Sequence, residues 1–111
     1  MKYIRTEDGI YEIIVETDNF ATIEKYGFYD FSNERGKHQY RLLKNKCRVA
    51  DTIEELCDEY VSEWAGTYKM ITKKEIWYYL TEGKTIYGAV WCEWGLKYVA
   101  RMNLKGELEL L

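Results

Sequence analysis

Between positions 51 and 64 apolar side chains recur at Ile53, Leu56, Cys57, Tyr60, Val61 and Trp64. Spacings of three, four, seven, eight and eleven residues from Ile53 place all six on one stripe of an α-helix. No other pattern in the chain narrows the fold as much, because such a helix must lay its stripe on a flat apolar partner. Asp51 with Glu54, or Thr52 with Glu55 one step later, supplies a capping box at its start. Gly66 stands where a left-handed closing residue is expected. The pattern predicts a helix over 51–64.

The partner is a sheet. Lys2-Tyr3-Ile4-Arg5-Thr6 and Ile10-Tyr11-Glu12-Ile13-Ile14-Val15 flank Glu7-Asp8-Gly9, a hairpin with a strong Asp-Gly turn signal. A further strand is predicted over 23–31, a loop over 32–36, and an extended stretch over 39–50 folded about Asn45. Thr72 and Glu75 form a second capping box and Gly83 a stop, predicting a second helix over 72–82 with Ile76, Tyr79 and Leu80 inward. The β-favouring run Ile76-Trp77-Tyr78-Tyr79-Leu80 competes with that reading. Residues 86–92 and 96–102 form a second hairpin through Trp94-Gly95, with Leu96, Tyr98, Ala100 and Met102 on one face. A last strand over 107–110 follows a turn at Lys105-Gly106. The fold class is α+β, a mostly antiparallel β-sheet with one or two helices packed on one face. At 111 residues the chain fits one domain, 1–111.

Composition excludes several classes. Hydrophobic residues at 47% and charged residues at 32% suit a folded, water-facing chain. The longest uncharged stretch, 85–92, is far shorter than the roughly 18–20 residues of a membrane span. The first residues lack the apolar core of a secretory signal. Cys47, Cys57 and Cys92 are odd in number and form no C-x-x-C pair, so neither a disulfide framework nor a zinc site is expected. A reducing, cytoplasmic setting is the expectation. His38 is the one histidine, and no G-x-S-x-G, Walker or G-x-G-x-x-G sequence occurs. The chain is expected not to be an enzyme and to hold no metal or cofactor.

Charge is distributed in blocks. Net charge is −3, but positions 35–50 carry Arg35, Lys37, Arg41, Lys44, Lys46 and Arg48 with no carboxylate, while 51–63 carry Asp51, Glu54, Glu55, Asp58, Glu59 and Glu63 with no cation. On a helix those acids lie mainly opposite the apolar stripe. The ordinary reading is a solvated face. The functional reading is a row of carboxylates imitating a nucleic-acid backbone in the basic groove of a nucleic-acid enzyme. Glu54, Glu55, Asp58, Glu59 and Glu63 are therefore the candidate protein-binding residues. Trp77 and Tyr78 join them as outward aromatics of the contact-favouring type. The alternative is nucleic-acid binding through Arg41, Lys44, Lys46 and Arg48, opposed by the acidic whole, with pI near 5.3.

The opening run from Lys2 to Glu12, the 50–61 stretch and the Ile86-Tyr87-Gly88-Ala89-Val90-Trp91 strand carry a resemblance. So do Gly95-Leu96-Lys97-Tyr98-Val99-Ala100-Arg101-Met102-Asn103 and the ending Lys105-Gly106-Glu107-Leu108-Glu109-Leu110-Leu111. Together they resemble a group of small uncharacterised phage and prophage proteins of Gram-positive bacteria; 20–39 and 64–84 match no pattern of that group. The resemblance implies life in the cytoplasm of a bacterial host and transfers no site residues. By analogy with accessory phage proteins, it implies a protein-binding module whose partner is a host protein such as a defence nuclease, an anti-CRISPR-like role.

Overall fold

The computed structural model describes residues 1–28 and 35–111. Among these, antiparallel strands dominate and one short helix accompanies them. Strands β1 (Tyr3–Thr6) and β2 (Gly9–Glu12) form the predicted N-terminal hairpin, and β6 (Arg48–Ala50) pairs with the other edge of β1. Strands β3 (Val15–Glu16), β4 (Phe20–Phe28) and β5 (Arg35–Leu43) form a second sheet. Strands β7 (Glu59–Trp64), β8 (Thr67–Ile71), β9 (Thr85–Cys92), β10 (Gly95–Met102) and β11 (Leu108–Leu110) form a third, in the order β11-β10-β9-β7-β8. Helix α1 (Ile76–Thr81), preceded by a 3-10 turn at Lys73–Glu75, lies between β8 and β9 in sequence.

The helix predicted over 51–64 does not form. Residues 53–57 make one tight turn, in which the Leu56 and Cys57 amides donate to the Ile53 carbonyl at 3.0 and 3.1 Å. The chain then extends as β7. Two features override the helical period. Tyr60, Val61 and Trp64 favour strands, and β7 is paired on both sides, with β8 and β9. Ala65 and Gly66 take φ of 50° and 80°, the paired positive values of a type I′ hairpin turn. Gly66 thus has the left-handed conformation expected of it, but it closes a hairpin rather than a helix. Ile53 and Leu56 still reach the core, carried there by the turn.

The second helix is shorter than predicted and is capped as expected. The Thr72 amide and hydroxyl both donate to Glu75 Oε1 at 2.9 Å. Ile76 and Tyr79 are buried, Leu80 packs against the core, and Trp77 and Tyr78 face outward. Asn45 does not fold a hairpin: it sits in a 3-10 turn, Lys44–Lys46, that passes the chain from β5 to β6 in a different sheet. Arg35 and Gly36, predicted in a loop, begin β5, and residues 29–34 of the predicted strand and loop lie outside the described residues.

Cross-strand partners share a face of a sheet, so the registers show how the layers stack. In the small β2-β1-β6 sheet, Ile4, Tyr11 and Val49 point one way, while Tyr3, Ile10 and Ala50 point the other. The first set packs with Ala21 and Ile23 in a small core beneath β4 and β5. The second joins Ile53, Leu56, Ile71, Ile76, Ile86 and Val90 in the larger core on the inner face of the five-stranded sheet. A bulge between Tyr98 and Ala100 reverses the alternation of β10. Leu96 and Tyr98 therefore face away from the large core while Ala100 and Met102 face into it, correcting the single shared face expected for all four.

Candidate functional site

The outer face of the five-stranded sheet, opposite the large core, is the most distinctive surface of the molecule. Its residues follow from register. Trp91 stands beside Leu96; Ala89 lies between Tyr98 and Glu59; Tyr87 lies between Arg101 and Val61, with Met70 next; Glu63 lies between Thr85 and Tyr68. The Tyr87 and Tyr98 rings stack at 5.2 Å with an interplanar angle of 9°, and Tyr68 approaches Tyr98 at 5.7 Å. Val61 and Ala89 belong to neither core, yet they are 2% and 0% exposed. Rings and neighbouring side chains cover them, so this face has a packed floor of its own.

Above that floor, Tyr68, Met70 and Trp91 remain 55%, 55% and 52% exposed. Large apolar side chains held in place yet open to water are what a partner desolvates most profitably. Burial, then the neighbouring tyrosines and Glu63, pushes the Tyr98 phenol above its ordinary value, so it stays a neutral donor at physiological pH. Two predicted acids border the cluster. Glu59 accepts from Trp91 Nε1 at 3.3 Å, which steadies the indole, and Glu63 accepts the Gly66 amide at 3.1 Å at the hairpin end. Arg101 is the one cation in this register, opposed across the β10–β11 pair by Glu109.

The predicted acids do not form a row, because the helix that would align them is absent. Glu54 accepts the Leu108 amide at 3.0 Å. Glu55 accepts from the Thr52 amide and hydroxyl at 3.2 and 3.0 Å, so the Thr52–Glu55 capping box closes a turn. Asp58 receives Arg5 in a bidentate pair at 2.5 and 2.6 Å and the Trp91 amide at 2.8 Å. The Arg5 hydrogen bond, acting against the cost of burial, holds the Asp58 carboxyl below the usual range. Glu54 and Asp58 fasten the 51–58 segment to β11, β1 and β9 and Glu55 closes its turn, whereas Glu59 and Glu63 alone of the predicted acids reach the tyrosine face.

Trp77 and Tyr78 are exposed, as predicted, but lie on α1, away from this face. Trp77 also rests against Gly106, where a Cβ would meet its ring at 3.0 Å. Tyr78 packs edge-on against Tyr79 at 5.2 Å. Tyr68, Met70, Tyr87 and Tyr98 were not among the predicted site residues. For Tyr87 and Tyr98 the signal was the two-residue alternation Tyr87-x-Ala89-x-Trp91 and Leu96-x-Tyr98, which places both β9 and β10 rings on one side.

Of the predicted cations, Arg41 lies over the Phe20 ring at 4.2 Å and Arg48 donates to the Glu55 carbonyl at 2.9 Å. Lys44 turns away to Glu16 at 3.0 Å and the Thr17 carbonyl at 3.0 Å. Burial first, then Glu54 and Asp58, pushes the Cys57 thiol up to about 11, so at neutral pH it is not a nucleophile. Among the described residues no group of three or more His, Cys, Asp or Glu could hold a metal ion, and no helix is long and apolar enough to cross a membrane. Compared with protein families, curated proteins and solved structures, the chain finds no match.

Proposed function

We propose that this chain is a protein-binding module whose contact surface is the tyrosine face of the five-stranded sheet. The observation that carries the reading is the packed Tyr68–Tyr98–Tyr87 cluster over buried Val61 and Ala89, with Trp91 and Met70 exposed beside it. Tyr, Trp and Met are the types enriched at interface centres, and a preorganised ring loses little entropy when it is covered. Glu59, Glu63 and Glu109 against the single Arg101 leave the face acidic, so the fitting partner is a basic protein surface with an apolar centre. A nucleic-acid enzyme of a bacterial host presents surfaces of that kind, which keeps the inhibitor reading within this proposal. The acids now border aromatic contacts instead of imitating a phosphate row.

The test is direct binding to a purified partner recovered from a bacterial lysate, with Tyr68→Ala, Met70→Ala and Trp91→Ala on the face and Trp64→Ala off it. Each face variant removes an already exposed side chain, so the fold survives. At least one should weaken binding by about 2 kcal/mol, roughly thirtyfold, while Trp64→Ala binds as the parent does. Equal affinity for all four variants would end the proposal.

A further inference from the structure

A second surface, independent of the tyrosine face, has the opposite charge. Where β5 hands over to β6, an open cleft of about 900 Å³ runs between residues 41–48 and the β1–β2 turn. Its lining includes five cations, Arg5, Lys25, Arg41, Lys46 and Arg48, and two carboxylates, Glu7 and Asp8. Asp8 is already neutralised: Lys25 pairs with it, and the Thr6 and Tyr11 hydroxyls donate to it at 2.6 and 3.1 Å. Arg5 is matched in turn by Asp58. Among the described residues Arg41, Lys46 and Arg48 form no close ion pair with a carboxylate, although Arg48 lies near enough to Asp58 to help lower its pKa. Arg41 has its guanidinium carbon 4.2 Å from the centre of the Phe20 ring, and Arg48 keeps donors beyond the one given to Glu55.

We infer that this cleft binds a linear chain of phosphates, with Arg41, Lys46 and Arg48 as the contacts. Three cations within eight residues, none in a close ion pair among the described residues, suit a repeated monoanion better than a single compact one, and the cleft is many times the volume of one phosphate. A guanidinium braced on a ring still presents its N–H edge to phosphate oxygens. The open mouth gives an extended ligand room to enter and leave along its length. The molecule's overall acidity sets the condition under which binding is visible: low ionic strength, where screening does not mask a local cationic site.

The probes are a fluorescently labelled oligo(dT) of roughly 12 nucleotides and inorganic polyphosphate of similar charge, titrated in about 20 mM salt and again as salt is raised. Binding is expected to weaken with salt. Arg41→Ala/Lys46→Ala/Arg48→Ala should reduce affinity at least tenfold and lower the slope of log affinity against log salt by about 2 for the single strand. Because Arg48 braces the 55–58 segment, Arg41→Ala/Lys46→Ala serves as a second variant, with circular dichroism reporting the fold. Lys73→Ala/Lys74→Ala, on exposed residues elsewhere, should change nothing. Preference for the oligonucleotide or for polyphosphate identifies the source of the phosphates, and either supports the inference. Failure of both probes to bind at low salt overturns it, as does equal loss in the Lys73/Lys74 control or full binding by the cleft variants.

Discussion

Replacing Gly88 by alanine tests the packing of the large core in one atom. Gly88 is buried in β9 between Tyr60 and Ala100. A Cβ there would stand 2.8 Å from Cys57 Sγ and 2.9 Å from a Leu108 methyl. Neither neighbour yields easily. Leu108 is 7% exposed, and the Cys57 backbone is fixed by its bond to the Ile53 carbonyl. In an open strand, Gly→Ala would stabilise by about 0.4–1 kcal/mol by restricting the unfolded chain. Overpacking a filled core costs about 1–3 kcal/mol, so the clash wins and a net loss of about 1–2 kcal/mol is expected. With an unfolding entropy of about 2.1 cal/mol/K per residue, that loss lowers Tm by roughly 4–9 °C. The assay is thermal unfolding of Gly88→Ala, Cys57→Ala and the double variant. Removing Sγ opens part of the space, so the double variant should be more stable than additivity allows, by more than about 0.5 kcal/mol. A Gly88→Ala protein that melts at or above the parent, or a strictly additive cycle, would refute this account of the core.

Two further outcomes can be checked on the same instrument. Burial raises the Asp8 carboxyl, but the Lys25 pair and the Thr6 and Tyr11 hydroxyls outweigh it and bring it down to about 2. A carboxyl depressed in the fold adds stability that is present above its unfolded value near 4 and is lost as pH falls from about 4 to 2. Its side chain is 43% exposed, so screening reduces the nominal 2–2.5 kcal/mol to about 1 kcal/mol. Lys25→Met should flatten that acid limb, and an unchanged limb would show that the pair adds nothing. Ala65 takes a left-handed φ of 50° that costs a β-carbon about 1 kcal/mol. Ala65→Gly should therefore raise the urea midpoint, and a lowered midpoint would mean the turn is not the I′ form.

Local signals in the sequence located most strands and both capping boxes. Asp8-Gly9 closes a hairpin, Thr72 and Glu75 cap α1, and the last two strands fall within a residue of their expected bounds. The 51–64 reading failed for a physical reason. Ile53, Leu56, Cys57, Tyr60, Val61 and Trp64 satisfy a helical period, but Tyr60, Val61 and Trp64 are also strand-favouring types. Which tendency wins depends on β8 and β9 being available to pair, a tertiary fact no window contains. The site followed the same logic. Glu59 and Glu63 were legible singly, but the meeting of Tyr68 with Tyr98 requires the order β10-β9-β7-β8. The bulge at Val99 was equally hidden, since Leu96, Tyr98, Ala100 and Met102 alternate without a break.

The small β2-β1-β6 sheet is a wall shared by two cores, and this sets how the molecule opens. Beneath β4 and β5 the wall is met by little more than Ala21 and Ile23, whereas its other side, through Ile10, helps to close the large core. The β3-β4-β5 layer can therefore lift away while the five-stranded sheet keeps its packing, but loss of the wall itself exposes both cores at once. Amide hydrogens of β4 and β5 then exchange through a shallow, partial opening, and those of β7, β9 and β10 only through global unfolding. The cationic cleft borders the β5 end of the layer that would lift first, and the tyrosine face lies on the sheet that would open last.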